Sequence, residues 1–214
     1  MKTKKGHETQ TRILDVATAL FAEKGFLGVS LREIMTEANA NFASAHYYFG
    51  SKQSLYEAAA ERFFKRIGPA RREALAALSH LPDDGADDME RTRRILFAYT
   101  QPHYDVARLP GGRDYLRMIS RYQAEPAEVT HNFVVNTVAP TRMVFINALL
   151  PVLAPMPRPV LTHGFSLFVN AMLAAPVDAS LRKFGGQKIS VRYIREEMAD
   201  RLATFGAAGL MSLR

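Results

Sequence analysis

At 214 residues, 48% of them apolar, the chain is long enough to bury a core as one large domain or two small ones. Cysteine is absent, which excludes a disulfide framework and any thiolate metal centre, and fits a reducing, cytoplasmic setting. The net charge of +7 favours polyanionic partners, yet the basic residues are spread along the chain, so charge alone locates no binding surface.

The chain opens on Lys2, Lys4 and Lys5 before any acid. This run reads either as a solubilising tail or as an arm adding DNA contacts, Lys5 among them. Gly6-His7-Glu8-Thr9 follows instead of an apolar segment, so a secretory leader is not expected. No uninterrupted apolar run of transmembrane length stands out either, and no membrane partner is expected. The first helix is predicted over Thr9–Lys24, with Ile13, Leu14, Ala17, Leu20 and Phe21 on one face and Gly25 as its stop.

The stretch from Ser30 to Lys52 organises the rest. Ser30 and Glu33 form a capping box, with Val29 and Ile34 at the staple positions around it. Leu31, Ile34, Met35 and Ala38 repeat at helical spacing, and Asn39-Ala40 breaks the repeat. Asn41 is placed to cap a second, short helix by accepting an N–H from near Ser44. Phe42, Ala43, His46 and Tyr47 share one side of it, and Ala45 and Phe49 the side suited to burial. Gly50 ends it, and Ser51 caps the next helix with Lys52 in its first turn. On pattern alone this is a helix-turn-helix or a plain helical hairpin. The residue types favour DNA. Phe42 and Ala43 suit a thymine methyl, while Ser44 and His46 can hydrogen-bond base edges. Tyr47, Tyr48 and Lys52 suit phosphates, with Ser30 and Arg32 adding contacts from the preceding helix.

The segments ILDVATALFAEKGF, SLREIMTEA and HYYFGSKQSLYEA, in that order, resemble the DNA-binding domain of the TetR family of bacterial transcriptional regulators over Arg12–Phe63. The resemblance implies a three-helix DNA-binding domain, a helical C-terminal domain and a homodimer on a palindromic operator. Departures from the family pattern are Asn39, where Gly is usual, Asn41, Phe42 and Ala45.

Beyond Ser51 the chain reads as all-α. A connecting helix is predicted to Arg66, ending before Gly68-Pro69, and a short helix over Arg71–Leu81. Asp88 caps a helix to Gln101, another covers Asp114–Ala124, and Pro126 starts a long apolar run to Leu153 that Pro140 must kink or divide. Pro151, Pro155, Pro157 and Pro159 mark a stiff connection. Val160–Ala174 is apolar on most sides, Phe184-Gly185-Gly186-Gln187 is a loop, and the last helix spans Ser190–Met211. The predicted division is residues 1–67 for DNA binding and residues 68–214 for a helical effector-binding and dimerisation domain.

No Gly-rich phosphate loop, H-E-x-x-H or G-x-S-x-G occurs, and no histidine has a partner at ligand spacing, so neither enzyme, metal nor cofactor is expected. A pocket for a small-molecule effector is expected from Tyr99, His103, Tyr104, Arg117, Met118, Arg121, Tyr122, Phe168 and Asn170, each of which alone is as well explained by core or surface. An amphipathic organic acid or acyl compound fits that set, with Arg117 and Arg121 on one helix face either holding a carboxylate or pairing with surface acids. The dimer interface is expected on the last two helices, from Phe165, Met172, Ile194, Met198, Leu202, Phe205, Gly206 and Gly209; packing within the chain is the alternative.

Overall fold

A computed structural model describes residues 4–80, 82, 84–174 and 191–214, with side chains from residue 6 and, in the last helix, from residue 197. Every regular element among them is helical: α1 (Lys4–Lys24), α2 (Leu31–Glu37), α3 (Phe42–Phe49), α4 (Lys52–Leu78), α5 (Asp88–Asp105), α6 (Gly112–Ser120), α7 (Ala127–Phe133), α8 (Ala139–Val152), α9 (Arg158–Ala174) and α10 (Val191–Met211). They form two compact units, one of residues 1–66 and 107–138, the other of residues 67–106 and 139–214.

In the first unit, Ile13, Ala17 and Phe21 of α1, Ile34, Met35 and Ala38 around α2, and Leu55, Tyr56 and Ala59 of α4 are all buried, with Phe21 edge-on to Tyr56 at 5.0 Å between ring centres. This is the three-helix core that the apolar spacing predicts. The unit also contains α6 and α7. Tyr115 stacks on Phe63 at 4.7 Å between ring centres, and Phe133 meets Phe64 edge-on at 5.8 Å. Glu125 accepts the Phe26 N–H at 2.9 Å. Gly25, at φ +73°, is what lets this carboxylate approach, because a Cβ there would sit 3.0 Å from Glu125 Oε1. Residues 107–138 thus pack with the N-terminal helices, where the predicted division placed them with the C-terminal ones. Sequence periodicity shows that a helix has an apolar face but not which neighbour covers it.

The second unit is built around Tyr99. Phe145 and Phe165 meet its ring edge-on at 5.0 and 5.1 Å. Beneath it lies Arg71, only 3% exposed, with its guanidinium 3.5 Å from the Tyr99 ring centre. Arg71 Nε donates to Tyr99 O at 2.7 Å. Thr100 Oγ1 lies 3.1 Å from Ala199 O, linking α5 to α10. Tyr104 Oη donates to Met172 O at 2.9 Å, linking α5 to α9.

Several boundaries differ from expectation, among them the cap of α5, which is Asp87 and not Asp88, and the end of α6, which is Ser120 and not Ala124. The helix predicted to stop at Arg66 continues through Pro69 to Leu78, so the separate helix over Arg71–Leu81 does not exist. Pro69 lacks the N–H for one helical bond, but Ile67 and Arg71 on either side are buried, and that burial holds the helix together. Likewise α5 passes Pro102 to Asp105, carrying the buried His103 and Tyr104 past the predicted end at Gln101. At the N-terminus, Lys4 and Lys5 already lie in the first turn of α1, not in a tail; the Lys5 side chain is outside the described residues. Pro140 does mark a division: a π-helical turn over Val134–Val138 precedes α8, and the boundary between the units falls there. The helical run Ala127–Val152 is long and apolar enough to cross a membrane by length and composition. It carries Glu128 and Arg142, and it buries Val129 and Phe133 in one unit and Phe145 and Leu149 in the other. The predicted loop at Phe184–Gln187 lies outside the described residues.

Candidate nucleic-acid interface

The short helices α2 and α3 are fixed at each end by local hydrogen bonds. Ser30 Oγ accepts the Glu33 N–H at 3.0 Å, and Glu33 Oε2 accepts the Ser30 N–H at 3.5 Å, completing the predicted capping box. Glu33 also pairs with Lys24 at 2.6 Å, and this partner holds its carboxyl below the usual range. After Ala38 the chain turns through Asn39 at φ +46°. A short polar side chain tolerates that left-handed conformation better than most, which explains Asn in place of the family's Gly. Arg12 of α1 reaches across to this turn, with Nε donating to Ala38 O at 2.7 Å and Nη2 to Asn39 O at 3.4 Å. Sequence reasoning missed Arg12, because nothing in a lone arginine on α1 reveals carbonyls 26 residues away.

The helix α3 is capped as predicted by Asn41, although its Oδ1 accepts from Ala43 N–H at 2.9 Å, one residue before the expected Ser44. Ala45 is its one fully buried residue, and Phe49 is only half-buried. Gly50 closes it at φ +74°. Ser51 Oγ accepts the Ser54 N–H at 3.0 Å and starts α4.

This anchoring leaves the opposite side of α3 in solvent. Phe42 is 48% exposed and Tyr47 75%, with Ala43 and His46 exposed beside them. Exposed rings gathered on one short helix are the kind of surface that marks an interaction site. Tyr47 and Tyr48 are edge-on at 5.0 Å, and Tyr48 and Ser44 are half-buried. His46 meets Phe42 edge-on at 5.4 Å, and its Nδ1 lies 2.9 Å from Gly50 O. A carbonyl oxygen only accepts, so Nδ1 carries the hydrogen and Nε2 of the neutral ring is left as an acceptor. Ser30 and Arg32 are also exposed.

Lys52 is placed differently from the phosphate contact expected of it. Its Nζ donates to Val29 O at 2.6 Å and lies 4.2 Å from the Phe26 ring centre. Partial burial lowers its pKa from the usual lysine value. In this position the ammonium ties the start of α4 to the segment before α2.

The predicted effector residues do not gather into one pocket. Tyr99, His103, Tyr104 and Phe168 are buried in the second unit, with Met172 against Arg71. Burial and the nearby Arg71 push the His103 pKa down to about 3. Arg117, Met118, Arg121 and Tyr122 belong to the first unit. There Arg117 pairs with Asp114 at 3.7 Å, and Met118 is core. Asn170 is exposed on α9. The second unit instead shows a groove of about 600 Å³ between α4, α5 and α8, and another of about 650 Å³ along α4 and α5. None of the nine predicted residues lines either. An apolar aromatic in a sequence looks the same whether it fills a core or lines a cavity. Among the described residues no group of three potential metal ligands converges.

Half of the predicted dimer face is corrected as well. Phe165 is fully buried within the chain itself, and Met172 and Leu202 are buried too. Gly206 packs on Phe168 of the same chain. These stripes face inward because α9 and α10 are core helices of the second unit. Phe205 is 66% exposed, Gly209 is open and Met198 half-buried; the Ile194 side chain lies outside the described residues. Leu167, 54% exposed on α9, lies outside the predicted set.

An all-helical chain that caps a short outward helix behind a tight turn has the architecture of a helix-turn-helix regulator. Residues 13–59 match the family model of bacterial regulatory proteins of the tetR family, and residues 97–209 match that of tetracyclin repressor-like C-terminal domains. The second match alone covers more than half of the chain, which belongs to the TetR family. Among characterised relatives, the transcriptional dual regulator CecR of Shigella flexneri is 28% identical over 129 residues, covering 60% of this chain and 57% of CecR. The transcriptional repressor NicS of Pseudomonas putida is 27% identical over 104 residues, covering 49% of this chain and 45% of NicS. The chain thus spans about half the length of these relatives. A TetR-like transcriptional regulator from Rhodococcus sp. RHA1 superposes with a TM-score of 0.53 at 24% identity, over 94% of this chain and 96% of that one. The TetR family regulator PfmR of Thermus thermophilus does so with 0.54 at 18%, over 94% and 97%. Both likenesses concern the fold.

Proposed function

We propose that the protein is a cytoplasmic, homodimeric repressor that occupies a palindromic operator and is released by a small-molecule effector. The observation that carries this reading is the presentation of α3: both ends capped, Ala45 buried beneath, and Phe42, Ala43, His46 and Tyr47 in solvent. A helix of this kind enters the major groove. Phe42 and Ala43 approach thymine methyls. His46 Nε2, as an acceptor, selects bases that offer an amino group there, adenine or cytosine. Tyr47, Tyr48, Ser30 and Arg32 hold phosphates, and Lys5 adds to the electrostatic attraction. Lys52 and Arg12 act from behind by positioning the two helices. DNA binding falls to residues 1–67, supported by residues 107–138, and effector binding and dimerisation to the remainder.

Exposed Leu167 and Phe205 with open Gly209 supply the apolar surface for a two-fold contact. Two copies then place their recognition helices roughly 34–36 Å apart, one DNA turn. An effector that prefers another separation lowers operator affinity by its differential affinity for the two states, and α4 is the element that passes the change along. Repression is the direction suggested by relatives such as NicS, described as a repressor.

The test is selection of bound duplexes from a random pool. Wild type should enrich an inverted repeat, and His46→Ala should relax preference at one position in each half-site while Tyr47→Phe weakens all sequences alike. Equal loss on every duplex for His46→Ala removes its base-reading role. A constitutive DNA-binding dimer is the second reading, favoured by the filled core around Tyr99; it predicts no ligand that shifts operator affinity.

A further inference from the structure

The groove of about 600 Å³ in the second unit has the size of a ligand site and a defined polarity. Its walls are apolar: Leu75 and Leu78 of α4, Ile95 of α5, and Val144, Ala148 and Val152 of α8. Val144 is 39% exposed and Leu75, Leu78, Ala148 and Val152 are half-buried, so the walls offer unsatisfied apolar surface. Among the described residues the charged lining consists of Arg72, Arg91, Arg94 and Asp84. Arg91 and Arg94 are three apart on one face of α5. Asp84 already shows what this rim attracts. One of its oxygens accepts from Arg94 Nη2 at 2.7 Å, and the other from the Ala86 N–H at 3.2 Å. Glu90 takes Arg94 Nε at 2.8 Å from outside the groove. A carboxylate of the protein's own thus occupies a guanidinium at the groove's edge.

We propose that this groove binds an anionic amphiphile, with its hydrocarbon tail along α4, α5 and α8 and its acidic head on Arg72 and Arg91, where Asp84 competes for the neighbouring Arg94. The site rests on the effector reading above and gives it a place and a ligand class. It differs from the pocket expected from the sequence, whose residues fill the core instead. Apolar walls select the tail by burial and the arginines select the head's charge, so neither part alone suffices.

The probe is dodecanoate, titrated calorimetrically below its micellar concentration, with dodecanol and dodecyltrimethylammonium as neutral and cationic chains of equal length. Dodecanoate should bind at least about tenfold tighter than either, since a charge-assisted contact is lost in both. Arg72→Ala/Arg91→Ala should weaken it by at least about tenfold. Asp84→Asn, which removes the competitor, should tighten it by about threefold. Because the chain has no cysteine, Val144→Cys gives a unique label in the groove and Leu27→Cys, at an exposed residue of the first unit, one outside it. Dodecanoate should slow alkylation of the first and not the second. Equal affinity for dodecanol, weaker binding in Asp84→Asn, or no protection at Val144→Cys overturns the proposal. Protection at Val144→Cys with unchanged operator affinity keeps the site and removes the effector reading. Operator binding without dodecanoate protection removes the site and leaves DNA binding intact.

Discussion

Replacing Lys52 with methionine separates two roles that one ammonium cannot equally fill. The side chain donates to Val29 O at 2.6 Å and stands 4.2 Å over Phe26. A charge-assisted hydrogen bond contributes about 1.5–3 kcal/mol and a partly exposed cation–π contact about 0.5–1 kcal/mol. Desolvation, visible in the lowered Lys52 pKa, offsets part of this. The net cost of Lys52→Met should therefore be about 1–2 kcal/mol, since methionine keeps the apolar stem. The assay is urea unfolding beside operator titrations over a salt series. A positioning lysine loses that stability and leaves the salt slope unchanged. A phosphate-bound lysine leaves stability unchanged and lowers the slope by about 0.9 per chain, about 2 for a dimer. The second outcome would refute the reading of Lys52 as a tie between the start of α4 and the segment before α2.

Two further perturbations test the two cores. His103 is buried with its pKa held down to about 3, against the usual 6.5. The unfolded chain therefore takes up the proton first as pH falls, and stability is lost progressively from about 6.5 towards 3. Between pH 7 and 5 that loss should be about 2 kcal/mol, and it should be absent from the unfolding curves of His103→Gln. Parallel pH curves for the two proteins would show that His103 is not held neutral. At the turn between α2 and α3, Asn39→Ala should cost about 1 kcal/mol because alanine tolerates φ +46° poorly, while Asn39→Gly should retain the melting temperature. Equal melting for both variants would mean that this backbone conformation relaxes.

The parts legible in the sequence are those set by neighbours a few residues apart. The capping box at Ser30 and Glu33, the Asn41 cap and the stop at Gly50 are local chemistry, and they fix α2 and α3. What the sequence hides is whatever depends on distant contacts. Pro69 and Pro102 look like helix ends until the buried Ile67, Arg71 and His103 are seen to hold the helix on both sides. Lys52 looks like a phosphate ligand because its partner, Val29 O, is a backbone atom that no side-chain pattern reveals. The stripe with Phe165, Met172 and Leu202 is apolar for the chain's own core, while Phe205 and Gly209 keep an outward aspect. The groove escapes a reading of the sequence because its walls are ordinary Leu, Ile, Val and Ala, brought together from three separate helices.

The most direct test is sedimentation of the protein with a duplex recovered by selection, alongside a variant in which Phe42, His46 and Tyr47 of α3 are replaced by alanine. The account predicts two chains on one duplex whose half-sites are centred about 10 base pairs apart, and no such complex for the folded variant. A single chain on the duplex, or a complex that survives loss of all three side chains, would contradict it.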